Sequence, residues 1–213
     1  MPLLLYCLTE SEPGVPPPKG GVRGRPVERR AFAGMQCYYS VFPHAPANLS
    51  KEDALAFHSV ITAVFAKAAV TPFRFPTILE DVDELEVYLE TEGHDLLESL
   101  QRLRDFVQME VRLSYGGERA SGAESKKDYL KTREHARETL EQVSESAREF
   151  LGEGVRAWHT REFPNGLRCY ALISRGEVAS FRHKTEGLKA EGAVRLTVSG
   201  PWPPTEFLHE ALE

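Results

Sequence analysis

Residues 107–115 alternate without a break: Val107, Met109, Val111, Leu113 and Tyr115 are apolar, while Gln108, Glu110, Arg112 and Ser114 are polar. A period of two marks a strand with one face covered, and it commits this part of the chain to a sheet. After the loop-forming Gly116, Gly117 and Gly122, the segment from about Glu124 to Leu151 carries Tyr129, Ala136, Leu140, Val143, Ala147 and Phe150 at helical spacings. Acidic and basic residues mix on its other side, as on a helix laid against a sheet with one face in water. Gly152 and Gly154 stop it. Val155 to Phe163 and Leu167 to Ser174 read as strands joined by Pro164-Asn165-Gly166, a strong hairpin signal. A helix from about Glu177 to Lys189 and a strand from Ala193 to Ser199 close the series.

The resulting order, β-α-β-β-α-β, is the ferredoxin-like split arrangement around an antiparallel sheet. The first half reads as a small sheet with helices. Leu3 to Leu8 form a short apolar run, followed by the turn-rich Glu12-Pro13-Gly14-Val15-Pro16-Pro17-Pro18. Two more strands, at about Pro26 to Phe32 and Met35 to Val41, make a hairpin through Gly34. Ser50 is a credible N-cap, with Glu52 and Asp53 in the first turn, and Leu55, Ile61, Val64, Phe65 and Ala68 recur behind it as a stripe on which His58 falls. Pro72 and Pro76 forbid a helix over Thr71 to Thr77 and confine any strand there to an edge or a strand end. The expected fold class is therefore α+β with two domains. Residues 1–105 form an N-terminal domain with an acidic helical segment, and residues 106–213 a ferredoxin-like domain.

Charge is unevenly placed. Residues 80–98 hold nine acidic residues and no Lys or Arg, so the rest of the chain is slightly basic although the whole carries −6. Val82, Leu85, Leu89, Leu96, Leu97, Leu100 and Leu103 keep helical spacing through this stretch, with Gly93 expected to divide two helices. The acidic side is either a solvated helix face or a docking surface. A pI near 5.7 supplies no global attraction to nucleic acid or to an anionic membrane. Leu3 to Leu8 is too short to span a bilayer and lacks a basic flank, so a cytoplasmic protein is expected. Cys7, Cys37 and Cys169 are odd in number and far apart, which reads as free buried thiols.

No nucleophile elbow, phosphate loop, dinucleotide fingerprint or zinc-protease motif occurs, and the closest histidines, His44 and His58, are fourteen apart. No cofactor or metal is expected. Arg156, His159, Arg161 and Glu162 can be drawn as a site, but an exposed strand face with cross-strand ion pairs is the simpler reading. Gly20-Gly21-Val22-Arg23-Gly24 reads as a flexible loop. The last segment is more unusual: Gly200-Pro201-Trp202-Pro203-Pro204-Thr205-Glu206-Phe207 sets a tryptophan among three prolines after a strand. Proline stiffens its own φ and the residue before it, so Trp202 and Phe207 are rigid anchors, tucked against the sheet or offered to a partner.

This ending resembles the Gly-Pro-Trp-Pro-Pro-Tyr-x-Phe signature that closes the gas vesicle GvpL/GvpF family, with Thr205 where the family has tyrosine. His58 followed by Val70-Thr71-Pro72-Phe73-Arg74-Phe75-Pro76-Thr77-Ile78-Leu79 is similar to the family's histidine helix and its Leu-Pro-x-Arg-Phe-Gly-Thr pattern, with Pro76 in place of glycine. Asp128-Tyr129-Leu130-Lys131 and Cys169-Tyr170-Ala171-Leu172-Ile173 match in family order. The resemblance implies a non-enzymatic accessory protein of gas vesicle formation, cytoplasmic and associated with gas vesicles. Its implied partners are the shell protein and other accessory proteins, not nucleic acid or a lipid membrane. Trp202, Phe207, Phe73, Arg74 and Phe75 are the candidate partner-binding residues. A small-molecule-binding or enzymatic ferredoxin-like protein is the alternative, favoured by a concave pocket holding His159 or His183 beside a carboxylate.

Overall fold

A computed structural model describes residues 1–12, 14–115, 126–164, 166–187 and 194–208. The chain divides into two compact units, Met1–Asp105 together with Leu208, and Phe106–Phe207. Among the described residues no helix is long and apolar enough to cross a membrane.

In the first unit β1 (Leu3–Glu10), β2 (Glu28–Phe32), β3 (Met35–Val41) and β4 (Thr71–Leu79) form an antiparallel sheet in the order β2-β3-β1-β4. The unbroken apolar run of β1 follows from its place: it pairs on both sides and is covered on both faces, with Leu3 to Leu8 all buried. One face meets α2 (Val82–Leu103), where Leu3, Leu5, Leu8, Met35, Cys37 and Tyr39 pack with Leu85, Leu89 and Leu100. On the other side of the sheet α1 (Lys51–Phe65) sets Phe57 against Tyr6 at 5.2 Å between ring centroids. Ser50 and Asp53 cap α1 reciprocally: Asp53 N–H donates to Ser50 Oγ at 3.2 Å and Ser50 N–H to Asp53 Oδ2 at 3.0 Å.

Three expectations for this unit need correction. The buried face of α1 is Phe57, Val60, Ile61, Val64 and Phe65, while Leu55 is 57% exposed and His58 is exposed. Ile61, Val64 and Phe65 of the expected stripe are buried, but at its N-terminal end the covered residues are Phe57 and Val60 rather than Leu55 and His58. Next, α2 runs through Gly93 without a break. A Cβ there would lie 3.0 Å from the Met35 Cε methyl, so Gly93 marks close helix-to-sheet packing rather than a helix end. Finally, residues 20–24 are tied down. Val22 is buried, its N–H donates to Tyr6 Oη at 2.9 Å, and Arg23 pairs with Asp53 at 3.3 Å.

Gly93→Ala carries a defined sign. Among the described residues the one close neighbour is the free end of a flexible side chain, while alanine gains about 1 kcal/mol of helix propensity over glycine. The variant is expected to match or exceed the parent's chemical-denaturation midpoint. A drop would show that the Met35 methyl cannot yield.

The second unit holds β5 (Phe106–Tyr115), α3 (Lys126–Leu151), β6 (Val155–Phe163), β7 (Gly166–Ser174), α4 (Val178–Gly187) and β8 (Val194–Trp202). The antiparallel order β6-β7-β5-β8 is the one a ferredoxin-like split unit produces. The first sheet repeats this order, second-third-first-fourth, with a proline-rich stretch in place of the first crossover helix. Val107, Met109, Val111 and Leu113 are fully buried, as are Cys169, Ala171 and Ile173 of β7. Ser144 of α3 meets Cys169 Sγ at 3.3 Å and accepts from Trp158 Nε1 at 3.3 Å, which identifies the face that α3 covers. The helical stripe continues from Leu140 and Ala147 to Leu151, whereas Phe150 is 55% exposed. The side chains of Tyr129 and Ala136, and the glycine loop 116–122, lie outside the described residues.

All three cysteines are buried and free, and burial pushes each thiol upward, Cys7 and Cys37 well above the usual thiol range. The thiolate is the reactive form. At pH 8 the folded protein is expected to leave Ellman's reagent nearly untouched, and all three thiols are expected to react once it is denatured. Rapid labelling of the folded chain would contradict the burial.

Candidate interaction surface

β4 is an edge strand, as its prolines require, and it departs from regular pairing at the segment singled out in the sequence. Leu5 pairs with Thr77 and Cys7 with Pro72, so the single residue Tyr6 faces the four residues Phe73, Arg74, Phe75 and Pro76. The result is a large bulge, a device that re-aims side chains and spoils an open edge. Its two aromatics are anchored on separate helices. Phe73 packs on Tyr88 of α2 at 5.9 Å and Phe75 on Phe57 of α1 at 5.0 Å. Thr77 Oγ1 donates to the Arg74 carbonyl at 2.7 Å. Arg74 stands exposed between the anchors and Pro76 just after them.

The C-terminal segment is built into the second sheet. β8 does not stop at Ser199; it continues to Trp202, which pairs with Gln108. Between those partners Gly200 and Pro201 oppose Met109 alone, a bulge in which Gly200 takes φ 115°. A Cβ on Gly200 would also sit 2.9 Å from the Gln108 carbonyl oxygen, so glycine is required twice over. Pro201 removes an N–H at a position where a bulge leaves one unpaired. Pro203 and Pro204 then turn the chain into a short 3-10 helix, Thr205–Phe207.

That helix is fastened by residues that drew no attention as a group in the sequence. Glu206 N–H donates to Gln108 Oε1 at 3.1 Å, and the Glu206 carboxylate receives Arg161 at 2.6 Å. Phe207 is fully buried with its ring 4.6 Å from that of His159. It is tucked against its own unit. Trp202 is half-buried, with Nε1 3.3 Å from Ser199 Oγ, and keeps part of its indole at the surface. Of the five candidate residues, Trp202 and the Phe73-Arg74-Phe75 bulge therefore have exposed surface, and Phe207 has none. Gln108 was legible only as a polar residue in an alternating strand; no sequence signal tied it to Glu206.

The four residues drawn as a possible site on β6 do not converge. Arg161 turns to Glu206, whereas the adjacent Glu162 pairs with Arg137 of α3 at 3.2 Å. His183 is exposed on α4 with Glu186 at 3.8 Å. A groove of about 380 Å³ beside α2 is lined by Leu79, Glu84, Val87, Tyr88, Thr91 and Glu92, and neither His159 nor His183 is among its lining residues. Among the described residues no group of three or more His, Cys, Asp or Glu side chains is placed to hold a metal ion.

Comparison with known proteins follows the same lines. Residues 2–209 match the model of the family described as gas vesicle synthesis protein GvpL/GvpF. The crystal structure of the gas vesicle protein GvpF from Microcystis aeruginosa superposes with a TM-score of 0.79 at 13% identity, covering 98% of this chain and 99% of that one. GvpF from Anabaena sp. PCC7120 gives a TM-score of 0.76 at 14% identity, covering 99% and 97%. No curated protein matches the sequence.

Proposed function

Since the chain belongs to the gas vesicle synthesis protein GvpL/GvpF family, we propose that it is an accessory factor of vesicle assembly that binds subunits and catalyses nothing. The observation that carries this reading is the family match over residues 2–209, nearly the whole chain. The physical need is plain. Unassembled wall subunits expose apolar helices and sheet edges that aggregate, and a partner that covers them until they join the wall prevents this. The proposed partners are the shell protein and other accessory proteins of the vesicle, met in the cytoplasm. The two units act as its domains, with the boundary near residue 105.

The proposed contacts are Trp202 and the Phe73-Arg74-Phe75 bulge. Both combine a partly exposed aromatic with a stiff backbone, so little ordering entropy is lost on binding. Phe207 serves this surface indirectly, by anchoring the segment that follows Trp202. Deleting the gene in a vesicle-forming host is expected to abolish or sharply reduce vesicles, and the wild-type gene to restore them. Complementation with Trp202→Ala or Arg74→Ala is expected to be partial. Normal vesicles after deletion would overturn the reading.

A further inference from the structure

The face of the second sheet turned away from α3 carries a row of arginines. Arg112 on β5 pairs with Arg168 on β7, and Arg168 with Arg161 on β6. Arg195, opposite Ser114, stands on the same face one step along β8. Like charges directly opposite one another on neighbouring strands are destabilising. Compensation is incomplete here. Glu110 lies 3.9 Å from Arg112 and 3.8 Å from Arg168, beyond hydrogen-bond reach of both, and the Arg168 Nε–H has no hydrogen-bond partner among the described residues. Among the described residues, Arg161 alone of the row has a close carboxylate, that of Glu206.

What holds the row in shape is an aromatic ring. Phe163 sits opposite Gly166, and the guanidinium carbons of Arg112 and Arg168 lie 5.1 Å and 5.5 Å from its centroid. Guanidinium groups stacked on a ring keep their N–H edges free for carboxylates. The surface is thus apolar at its centre and positive around it, in a chain whose net charge is −6.

The complementary surface is present in the same chain. On α2, Val87 is 61% exposed, with Asp83, Glu84 and Glu90 within one helical turn and all exposed. Glu86, by contrast, is already paired with Arg30. We propose that the row Arg112, Arg168 and Arg161 around Phe163 receives the acidic face of α2, centred on Val87, from a second copy of this chain. The contact joins two different surfaces, so it is head-to-tail, and a pair of copies retains one unused face of each kind, one at either end, for the next copies. Charge sets its strength and its salt dependence.

Sedimentation velocity of the whole chain over a range of concentrations tests this. At about 0.05 M salt the protein is expected to form concentration-dependent larger species, and at about 1 M salt, where screening acts within about 3 Å, to sediment as a monomer. R112E/R168E and D83K/E90K are each expected to weaken self-association about tenfold or more while keeping the parent's circular dichroism. Mixed together, the neutralised variants R112Q/R168Q and D83N/E90N still offer one intact surface apiece without creating a charge-swapped pair, and they are expected to form a one-to-one complex that grows no further. If R112E/R168E fails to fold, R112Q/R168Q, which removes the charge without reversing it, takes its place. A wild-type chain that stays monomeric at low salt overturns the proposal. So do larger species indifferent to both double variants, or a face that binds single-stranded RNA through Arg112 and Arg168 while the chain remains monomeric.

Discussion

Replacing Phe207 with alanine is expected to destabilise the second unit by about 3–5 kcal/mol, the usual cost of emptying a buried phenylalanine site. For a unit of about a hundred residues each kcal/mol lowers Tm by roughly 4–8 °C, so a fall of more than about 12 °C is expected in thermal unfolding followed by near-ultraviolet circular dichroism. The reasoning rests on place. Phe207 is fully buried, its ring lies against His159, and its own N–H is held by the Pro204 carbonyl at 3.1 Å. Removing it empties the end of the sheet face and frees Glu206, whose N–H and carboxylate are bound to Gln108 and Arg161. Trp202→Ala is expected to cost much less stability, because the indole is only half-buried. Two residues from one short segment are thus separated by experiment into an internal anchor and a surface contact. Equal losses of stability from the two variants would contradict that division.

A larger effect is expected from Gly166→Ala. A Cβ built there would lie 2.0 Å from the Leu113 carbonyl oxygen and 3.0 Å from both the Leu113 carbonyl carbon and Phe163 Cζ. Backbone of the central strand cannot retreat as a methyl group can. Overpacking a well-filled site ordinarily costs about 1–3 kcal/mol, and this clash is expected to exceed that range. The hairpin β6–β7 would part from β5, and Phe163 would lose the space it occupies beside Arg112 and Arg168. The variant is expected to be largely insoluble, or to show a denaturation midpoint far below that of Gly93→Ala. A soluble Gly166→Ala protein with the parent's midpoint would mean that β5 and β7 approach less closely than described.

The parts of the fold legible from sequence are those set by local chemistry. The alternation of residues 107–115, the Ser50 cap, the Asn165-Gly166 signal and the prolines of β4 each act over a few residues and need no knowledge of the rest. The misread features depend on what lies opposite. In α1, apolar residues occur on two sides, Leu55 on one and Phe57, Val60 and Val64 on the other, and only the sheet decides which is covered. Gly93 looks like a helix break until Met35 is seen against it. Gly200-Pro201-Trp202 looks like a tail after a strand until Met109 supplies the partner of a bulge.

The same distinction applies to the candidate surface. The aromatics of residues 73–75 and 202–207 stand out in the sequence because proline stiffens them. Their exposures differ for reasons that sequence does not carry. Phe207 is sewn down through Gln108 and Arg161, which lie 99 and 46 positions upstream by number in the chain. The arginine row is spread over three strands, and its members become neighbours only through the register of β6, β7 and β5.

The central claim is that this chain binds vesicle subunits stoichiometrically. Co-expression with the shell protein, followed by affinity capture of this chain and quantification of the shell protein retained, measures that directly. The account predicts that shell protein is captured in a fixed ratio and kept soluble, and that Trp202→Ala together with Arg74→Ala lowers the captured amount without lowering the amount of folded chain. Shell protein that is neither captured nor solubilised by the folded wild-type chain would contradict it.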